Sequence, residues 1–170
     1  MKPLAMTKNI LILCTGNSCR SILAEAILNR KGEGRYKTFS AGSKPAGRVN
    51  PHAIGLLQEN GYDTSGFHSK SWDEFSGPSA PKLDYVITVC GNAAGETCPV
   101  WIGAPVSGHW GIEDPADATG SPEAIRAAFA EAYRLLDLRI EAFLALNTET
   151  MGNREIAAAL NSIGEMEGAA

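Results

Sequence analysis

Short apolar segments alternate along the chain with segments in which apolar residues recur at helical spacing. The first kind predicts strands over Lys8–Leu13, Tyr36–Ala41 and Tyr85–Val89, with a further candidate around Ala104–Val106. The second kind predicts helices over Ser21 to about Lys31, His52–Asn60, Ser121 to about Leu146 and, more weakly, Arg154–Ile163, with a helical turn over Ser71–Phe75. Strands that alternate with helices predict an α/β fold with a parallel sheet and right-handed crossovers.

The ends of the predicted helices carry typical signals. Gly32 is expected to end the first helix, Asn50 precedes a proline at the start of the second, and Ser121 precedes Pro122 at the start of the long one. The long helix has one apolar stripe, formed by Ile125, Phe129, Tyr133, Leu136, Ile140 and Phe143.

The chain has 170 residues, of which 44% are hydrophobic and 20% charged, and this composition predicts one compact domain. We expect an N-terminal extension over residues 1–7, the α/β domain over 8–146 and a tail over 147–170. The net charge of −4 gives no general attraction to nucleic acid or to an anionic membrane. No apolar stretch is long enough to span a bilayer, and no secretion signal is visible. We therefore expect a cytoplasmic protein, in which four cysteines indicate catalytic or redox chemistry.

The segment between the first strand and the first helix carries the clearest chemical signal. It begins with Cys14 and ends with Arg20, and the residues between them are Thr15, Gly16, Asn17, Ser18 and Cys19. A loop between a strand end and a helix start directs backbone N–H groups and the positive end of the helix dipole at one point. Such a loop binds a tetrahedral oxyanion.

Each polar side chain of this loop has an expected role. The Arg20 guanidinium would clamp two oxygens of the anion. The positive field is expected to lower the pKa of Cys14 and to make it a nucleophilic thiolate. Asn17 would hold a left-handed turn, and the Ser21 hydroxyl would donate a hydrogen bond to the thiolate.

A candidate acid lies in the segment from Gly111 to Asp117. Asp114 precedes a proline, so it is held extended on a turn, where a carboxyl group can protonate a leaving oxygen. Glu113 and Asp117 are weaker candidates for the same role. An ordinary Asp-Pro turn is the alternative, and the cysteine loop favours the catalytic interpretation.

Two further cysteines, Cys90 and Cys98, stand eight positions apart across small residues. Zinc is not favoured, because a zinc site needs more ligands at tighter spacing, and no metal site is predicted. Cys90 ends a buried strand and could serve packing alone, but packing does not explain Cys98 in a polar, glycine-rich segment. We interpret the pair as a redox relay. Two roles stay open for Cys19: it could serve packing alone, or it could protect Cys14 when the protein is oxidised.

The run from Cys14 to Ser21, followed by Ala24-Glu25, resembles the active-site loop of low-molecular-weight protein tyrosine phosphatases and of the arsenate reductases built on that fold. The segments Thr88–Pro99 and His109–Ala116 resemble the arsenate reductases. This resemblance covers about residues 8 to 146. It implies a four-stranded parallel sheet flanked by helices.

The resemblance also implies a mechanism. Cys14 would attack arsenate with help from Asp114, Cys90 would form a disulfide with Cys14 and release arsenite, and Cys98 would then pair with Cys90. A thioredoxin or a glutathione/glutaredoxin system would reduce the disulfide, with no tightly bound cofactor and with phosphate and sulfate as competing oxyanions.

Some members of this group bind potassium through counterparts of Asn17, Glu25, Ser40 and a later acid. Here the corresponding stretch offers Ser71 and a lysine in place of that acid, so only a weak potassium site is expected. Two alternatives stay open: a phosphotyrosine phosphatase with weak or full activity, and an oxyanion-binding module without catalysis. The segment after Pro115 has no aromatic residue to line a phosphotyrosine slot, which disfavours an efficient phosphatase.

Overall fold

A four-stranded parallel sheet forms the centre of the computed structural model, which describes residues 7–90, 101 and 103–170. The strands are β1 (Lys8–Leu13), β2 (Tyr36–Ala41), β3 (Tyr85–Thr88) and β4 (Val106–His109), in the spatial order β2-β1-β3-β4. The α/β fold with a parallel sheet is therefore confirmed. The fourth strand begins where the candidate around Ala104–Val106 was expected to end, because Gly103 and Ala104 both adopt positive φ angles that an extended strand does not allow.

The helices begin and end close to the predicted residues. They are α1 (Arg20–Lys31), α2 (Pro51–Glu59), α3 (Pro122–Leu144) and α4 (Asn153–Gly164). Asn50 and Ser121 cap α2 and α3, and their side chains accept hydrogen bonds from the backbone N–H groups of His52 and Ala124. Short 3₁₀ turns cover Trp72–Phe75, Pro115–Asp117 and Thr148–Thr150.

Apolar side chains fill both faces of the sheet. Along β1, Ile10 and Ile12 pack into the larger cluster with α1 and α3, whereas Leu11 and Leu13 point to the other face and pack with Phe75. The predicted stripe of α3 is confirmed: Phe129, Leu136, Ile140 and Phe143 are buried, and Ile125 and Tyr133 pack partly buried against the same cluster.

The chain after α3 returns to the edge strand of the sheet. Helix α4 packs on β4, where a side chain on Gly108 would lie 2.7 Å from the Cβ atom of Leu160. The buried Trp110 indole donates a hydrogen bond to the Leu160 carbonyl at 2.9 Å. The tail thus packs against the edge strand of the sheet. Among the helices that the structure describes, none is long and apolar enough to cross a membrane.

Candidate active site

The loop from Cys14 to Cys19 joins the carboxyl end of β1 to the first turn of α1, as predicted. Its carbonyl groups are held from outside: Lys44 N donates to Thr15 O at 3.0 Å, Ala46 N to Gly16 O at 2.9 Å and Asn50 N to Ser18 O at 2.9 Å. A trans peptide points its N–H away from its C=O. The N–H groups that follow these carbonyls therefore face the inside of the loop, which suits an oxyanion.

Asn17 is the buried centre of the loop and adopts the left-handed conformation, with φ of 45°. Its amide nitrogen donates to Ser21 Oγ at 2.8 Å and to Ser40 Oγ at 2.9 Å, and its amide oxygen accepts from Lys70 N at 3.0 Å. These bonds hold the turn that was predicted for Asn17. The contact expected between Ser21 and the Cys14 thiol stays a prediction.

Gly42 is a residue of the site that the sequence analysis missed. A Cβ atom there would overlap the Thr15 carbonyl oxygen and lie 2.8 Å from the Cys14 carbonyl oxygen. Only glycine lets the segment after β2 pass this close to the anion loop. Its position directly after a strand that pairs with β1 was the available signal, since the carboxyl ends of neighbouring parallel strands lie at one edge.

A buried polar network supports the loop from behind. Ser40 Oγ donates to Glu25 Oε1 at 2.5 Å, and the Lys70 ammonium lies 4.0 Å from the same oxygen. Burial raises the pKa of Glu25, against the opposing effect of the Ser40 hydrogen bond. Burial also lowers the pKa of Lys70. A lysine therefore stands beside the carboxylate that the sequence analysis associated with potassium.

Cys90 lies beside Cys14 in the folded chain. The Thr15 N–H donates to Cys90 Sγ at 3.3 Å, and the Thr15 hydroxyl lies 3.6 Å from the same sulfur. The pKa of Cys14 is raised, first by its hydrogen bond with Cys90 and second by burial, while the Arg20 charge acts in the opposite direction. The direction is opposite to the expected lowering, because the hydrogen bond with Cys90 and burial favour the neutral thiol more than the Arg20 charge favours the thiolate.

Arg20 reaches from the first residue of α1 to the segment that carries Asp114. Its Nη1 donates to the Ile112 carbonyl at 2.9 Å, and its Nη2 lies 3.3 Å from Asp114 Oδ2. Asp114 also caps the 3₁₀ turn that follows it, since its Oδ1 accepts from Ala116 N at 3.0 Å. The predicted clamp and the predicted acid thus form an ion pair in the lining of one cleft.

This cleft has a volume of about 1020 Å³. Its lining includes Arg20, Cys90 and Asp114, together with Glu113 and Asp117, so the weaker acid candidates also border it. Glu113 and Asp117 are exposed, while Asp114 is partly buried. Cys98 lies outside the described residues.

Cys19 is buried at the start of α1, next to the Ser18 hydroxyl at 3.7 Å. Burial is the main cause that raises its pKa to about 11. Cys14 and Cys19 carry free thiols. Within residues 7–90, 101 and 103–170, no group of three or more histidine, cysteine or acidic side chains is placed to hold a metal ion.

Residues 9–155 match the family model of the low molecular weight phosphotyrosine protein phosphatases. The chain is 38% identical to an arsenate reductase of Halalkalibacterium halodurans over 136 residues, which cover 80% of this chain and 94% of that protein. It is 35% identical to an arsenate reductase of Bacillus subtilis, with the same shares covered. A solved structure of an arsenate reductase in the phosphate-binding state superposes with a TM-score of 0.60 at 29% identity, over 79% of this chain and 98% of that one.

Proposed function

The chain belongs to the low molecular weight phosphotyrosine protein phosphatase family, and we infer that within this family it is an arsenate reductase, which converts arsenate to arsenite by thiol chemistry. The observation that carries this conclusion is the position of Cys90 beside Cys14 in the anion loop. A phosphatase needs one nucleophilic sulfur, whereas reduction of arsenic needs a second thiol within reach of the first.

In the proposed first step, the Cys14 sulfur attacks arsenate that is held by the loop N–H groups and by Arg20. An arsenic–hydroxyl bond breaks as the sulfur–arsenic bond forms, and the hydroxyl takes one proton and leaves as water, while the proton released by the Cys14 thiol replaces the one that the acid gives up. The Asp114 carboxyl, 3.3 Å from the Arg20 guanidinium, is placed to supply the proton for this oxygen. Arsenic stays in its +5 state in the adduct. Phosphate and sulfate have the same tetrahedral shape, so we expect both to compete with arsenate.

In the proposed second step, the Cys90 sulfur attacks the Cys14 sulfur. A sulfur–sulfur bond forms, the sulfur–arsenic bond breaks, and its electron pair leaves with arsenic as arsenite. The two thiols are thereby oxidised to a disulfide while arsenic is reduced from +5 to +3. Cys90 is already close to Cys14, so this step requires little rearrangement of the described residues.

We propose that Cys98 completes the relay by attacking Cys90, which frees Cys14 and leaves a Cys90–Cys98 disulfide for an external reductant. The relay needs reduced thiols at the start of each cycle, which agrees with a cytoplasmic setting.

The reductant must reach the cleft that Cys90 lines. Glutathione is anionic at neutral pH, and among the described residues that line the cleft one guanidinium, that of Arg20, stands against the acidic side chains of Glu113, Asp114, Asp117 and Glu131. We therefore propose a protein dithiol of the thioredoxin type as the partner. Steady-state arsenite production with thioredoxin and its reductase, compared with glutathione and glutaredoxin, tests this choice, and a preference for the second system would contradict it.

We also propose that no added potassium is needed. The Lys70 ammonium lies beside Glu25, in the network where the resemblance implies a potassium ion, and it supplies a positive charge there. Rates that are equal in sodium and potassium buffers are expected, and a strong potassium activation would overturn this point.

The test of the reductase is a single turnover followed by thiol mapping. Reduced protein is mixed with one equivalent of arsenate without an external reductant, quenched by alkylation, and analysed by mass spectrometry and arsenic speciation. We expect one arsenite and a Cys90–Cys98 disulfide. Cys98→Ser should stop at a Cys14–Cys90 disulfide after releasing arsenite.

Cys90→Ser keeps the loop, Arg20 and Asp114, so it is the matched control for the relay. It should release no arsenite while it retains weak hydrolysis of a small aryl phosphate. Full arsenite release by Cys90→Ser would contradict the proposed second step. Four free thiols with unchanged arsenate in the unsubstituted chain would favour a phosphatase or a binding protein.

A further inference from the structure

The last residues of the chain run along the segment that carries Asp114. Here residues 165–170 are called the C-terminal strap. Ala170 N donates to the Gly111 carbonyl at 3.0 Å, and Ala169 forms an antiparallel bridge with Ile112. The strap therefore pairs, backbone to backbone, with the two residues that lie just before Glu113 and Asp114.

Glycines on both sides make this approach possible. A Cβ atom on Gly111 would overlap the Ala170 carbonyl oxygen and lie 2.6 Å from His109 Nε2. Gly168 has φ of +82°, and a Cβ atom there would lie 2.5 Å from Leu135 Cδ1. Both positions are fitted to the path of the strap, because a side chain at Gly111 would meet the backbone of Ala170 and one at Gly168 would meet Leu135 of α3.

The strap is also tied to the long helix. The buried Arg139 donates from Nη2 to the Met166 carbonyl at 3.1 Å, and weakly to the Gly164 carbonyl at 3.5 Å. Its Nη1 donates to Leu135 O at 3.0 Å. One side chain of α3 therefore fixes the beginning of the strap, while Gly111 and Ile112 fix its end.

The held segment leads directly to the reacting groups. The Ile112 carbonyl accepts the hydrogen bond from Arg20 Nη1 at 2.9 Å, and Asp114, two residues later, contacts Arg20 Nη2 at 3.3 Å. Ala169 and Ala170 also line the cleft that contains Arg20 and Cys90. A shift of Ile112 would thus move a carbonyl that orients the anion clamp and the backbone that presents the acid.

We propose that the C-terminal strap is a positioning element of the active site, which holds Gly111 and Ile112 so that Arg20 and Asp114 keep their mutual geometry. This inference rests on the proposed function for the role of Asp114 as an acid. The strap lies beyond residue 155, where the match to the family model ends, so it is a feature of this chain outside the matched region.

Ala170→Pro tests the strap in the full chain, because it removes the N–H that bonds to Gly111 O. Glu165→Gln changes an exposed side chain of the strap, leaves every backbone N–H in place and is the control. Gly168→Val is a second variant, which displaces the strap by steric contact with Leu135. Asp114→Asn supplies the reference for complete loss of the acid, which is expected to slow the chemical step by about 10²- to 10⁴-fold.

The decisive readout is the dependence of the rate on the leaving group. Cysteinyl-phosphate formation is compared for p-nitrophenyl phosphate, which has a good leaving group, and phenyl phosphate, which needs the acid. We expect Ala170→Pro and Gly168→Val to slow the reaction of phenyl phosphate about tenfold and that of p-nitrophenyl phosphate much less. Asp114→Asn should show the same difference between the two esters. Glu165→Gln should match the unsubstituted chain, and thermal midpoints identify any loss due to unfolding.

An equal effect on both esters, or no effect on either, would overturn the proposal, because a strap with a purely structural role does not change leaving-group dependence. The arsenate assay separates this result from the assignment of function. A chain that shows the expected ester pattern but releases no arsenite would overturn the reductase and leave the strap in place. If the chain reduces arsenate but the ester rates are unaffected in Ala170→Pro and Gly168→Val, the reductase is supported and the proposed role of the strap is overturned.

Discussion

At the scale of single residues, the site depends on how neighbouring side chains share charge and protons. Cys14 and Cys90 lie together next to Arg20. The hydrogen bond with Cys90 is the largest cause of the raised pKa of Cys14, and burial is the second. The helix terminus and Arg20 favour a thiolate, but a second sulfur at hydrogen-bonding distance opposes it. The residue that attacks Cys14 in the proposed second step is therefore also the largest cause of the raised pKa of Cys14.

Removing the second sulfur should consequently activate the first. We expect Cys90→Ala to lower the pKa of Cys14 and to raise its rate of alkylation at pH 8 by about tenfold, since one pKa unit is a factor of ten in thiolate. Alkylation of Cys14, resolved by peptide mass spectrometry between pH 6 and 10, measures this.

A variant of opposite sign serves as the control for that measurement. Arg20→Gln removes the charge that lowers the pKa of Cys14, so it should slow alkylation at the same pH. An unchanged or slower rate in Cys90→Ala would show that Cys90 does not hold the Cys14 proton.

The sequence predicts the role of a residue where the partners of that residue are close to it in the chain. Cys14, Asn17 and Arg20 lie in one short loop, so their grouping needs only the strand and the helix on either side of it. The pKa of Cys14 was not predictable, because its main cause is Cys90, which is remote in sequence. The side-chain network of Glu25, Ser40 and Lys70 likewise joins three separate segments.

At the scale of elements, periodicity and caps predicted the strands and helices, whereas close approaches between elements were not visible. A Gly42 Cβ atom would meet the backbone of the anion loop, and a backbone atom cannot move aside as a flexible side chain can. Gly55, within α2, has no atom within 4 Å of its hypothetical Cβ. The two glycines thus have opposite consequences when they are replaced by alanine.

We expect Gly42→Ala to displace the anion loop and to reduce arsenate turnover by about 10²-fold, because small misplacements of reacting groups are costly. Gly55→Ala should keep full activity and stabilise the fold by about 0.5–1 kcal/mol, since alanine is the better helix former. Arsenite release and urea unfolding of both variants provide the comparison. Normal turnover in Gly42→Ala would mean that the loop tolerates the displacement.

At the scale of the whole molecule, a chain with a net charge of −4 must produce the positive potential of its proposed anion site locally. The positive potential comes from one loop, one helix start and Arg20. The tail adds a second layer, since it joins the edge of the sheet, the long helix and the segment of Asp114. Sequence periodicity indicated a weak helix there but not its contacts, because Arg139 lies in an otherwise apolar surface and its carbonyl partners carry no sequence signal.

Substitution of Arg139 tests how strongly the C-terminal strap is held against α3. Burial lowers the pKa of Arg139, so the fold carries the cost of a desolvated guanidinium that bonds only to carbonyls among its described hydrogen-bond partners. Arg139→Met would relieve that cost but would leave the Met166 and Leu135 carbonyls without this donor. Unsatisfied acceptors cost about 1–3 kcal/mol each when they are buried, so we expect a net loss of about 1–3 kcal/mol in the free energy of unfolding.

Arg134 is the matched control, because it also lies on α3 and reaches the strap through Glu167, but its side chain is 47% exposed. An exposed ion pair contributes about 0–1 kcal/mol, so Arg134→Gln should change stability little. Urea unfolding gives both free energies, and hydrogen exchange shows whether residues 109–112 lose protection together with the strap. If Arg139→Met were as stable as Arg134→Gln, relief of the desolvation cost would outweigh the lost hydrogen bonds. If hydrogen exchange were also unchanged, the pairing with Gly111 and Ile112 would be enough to hold the strap.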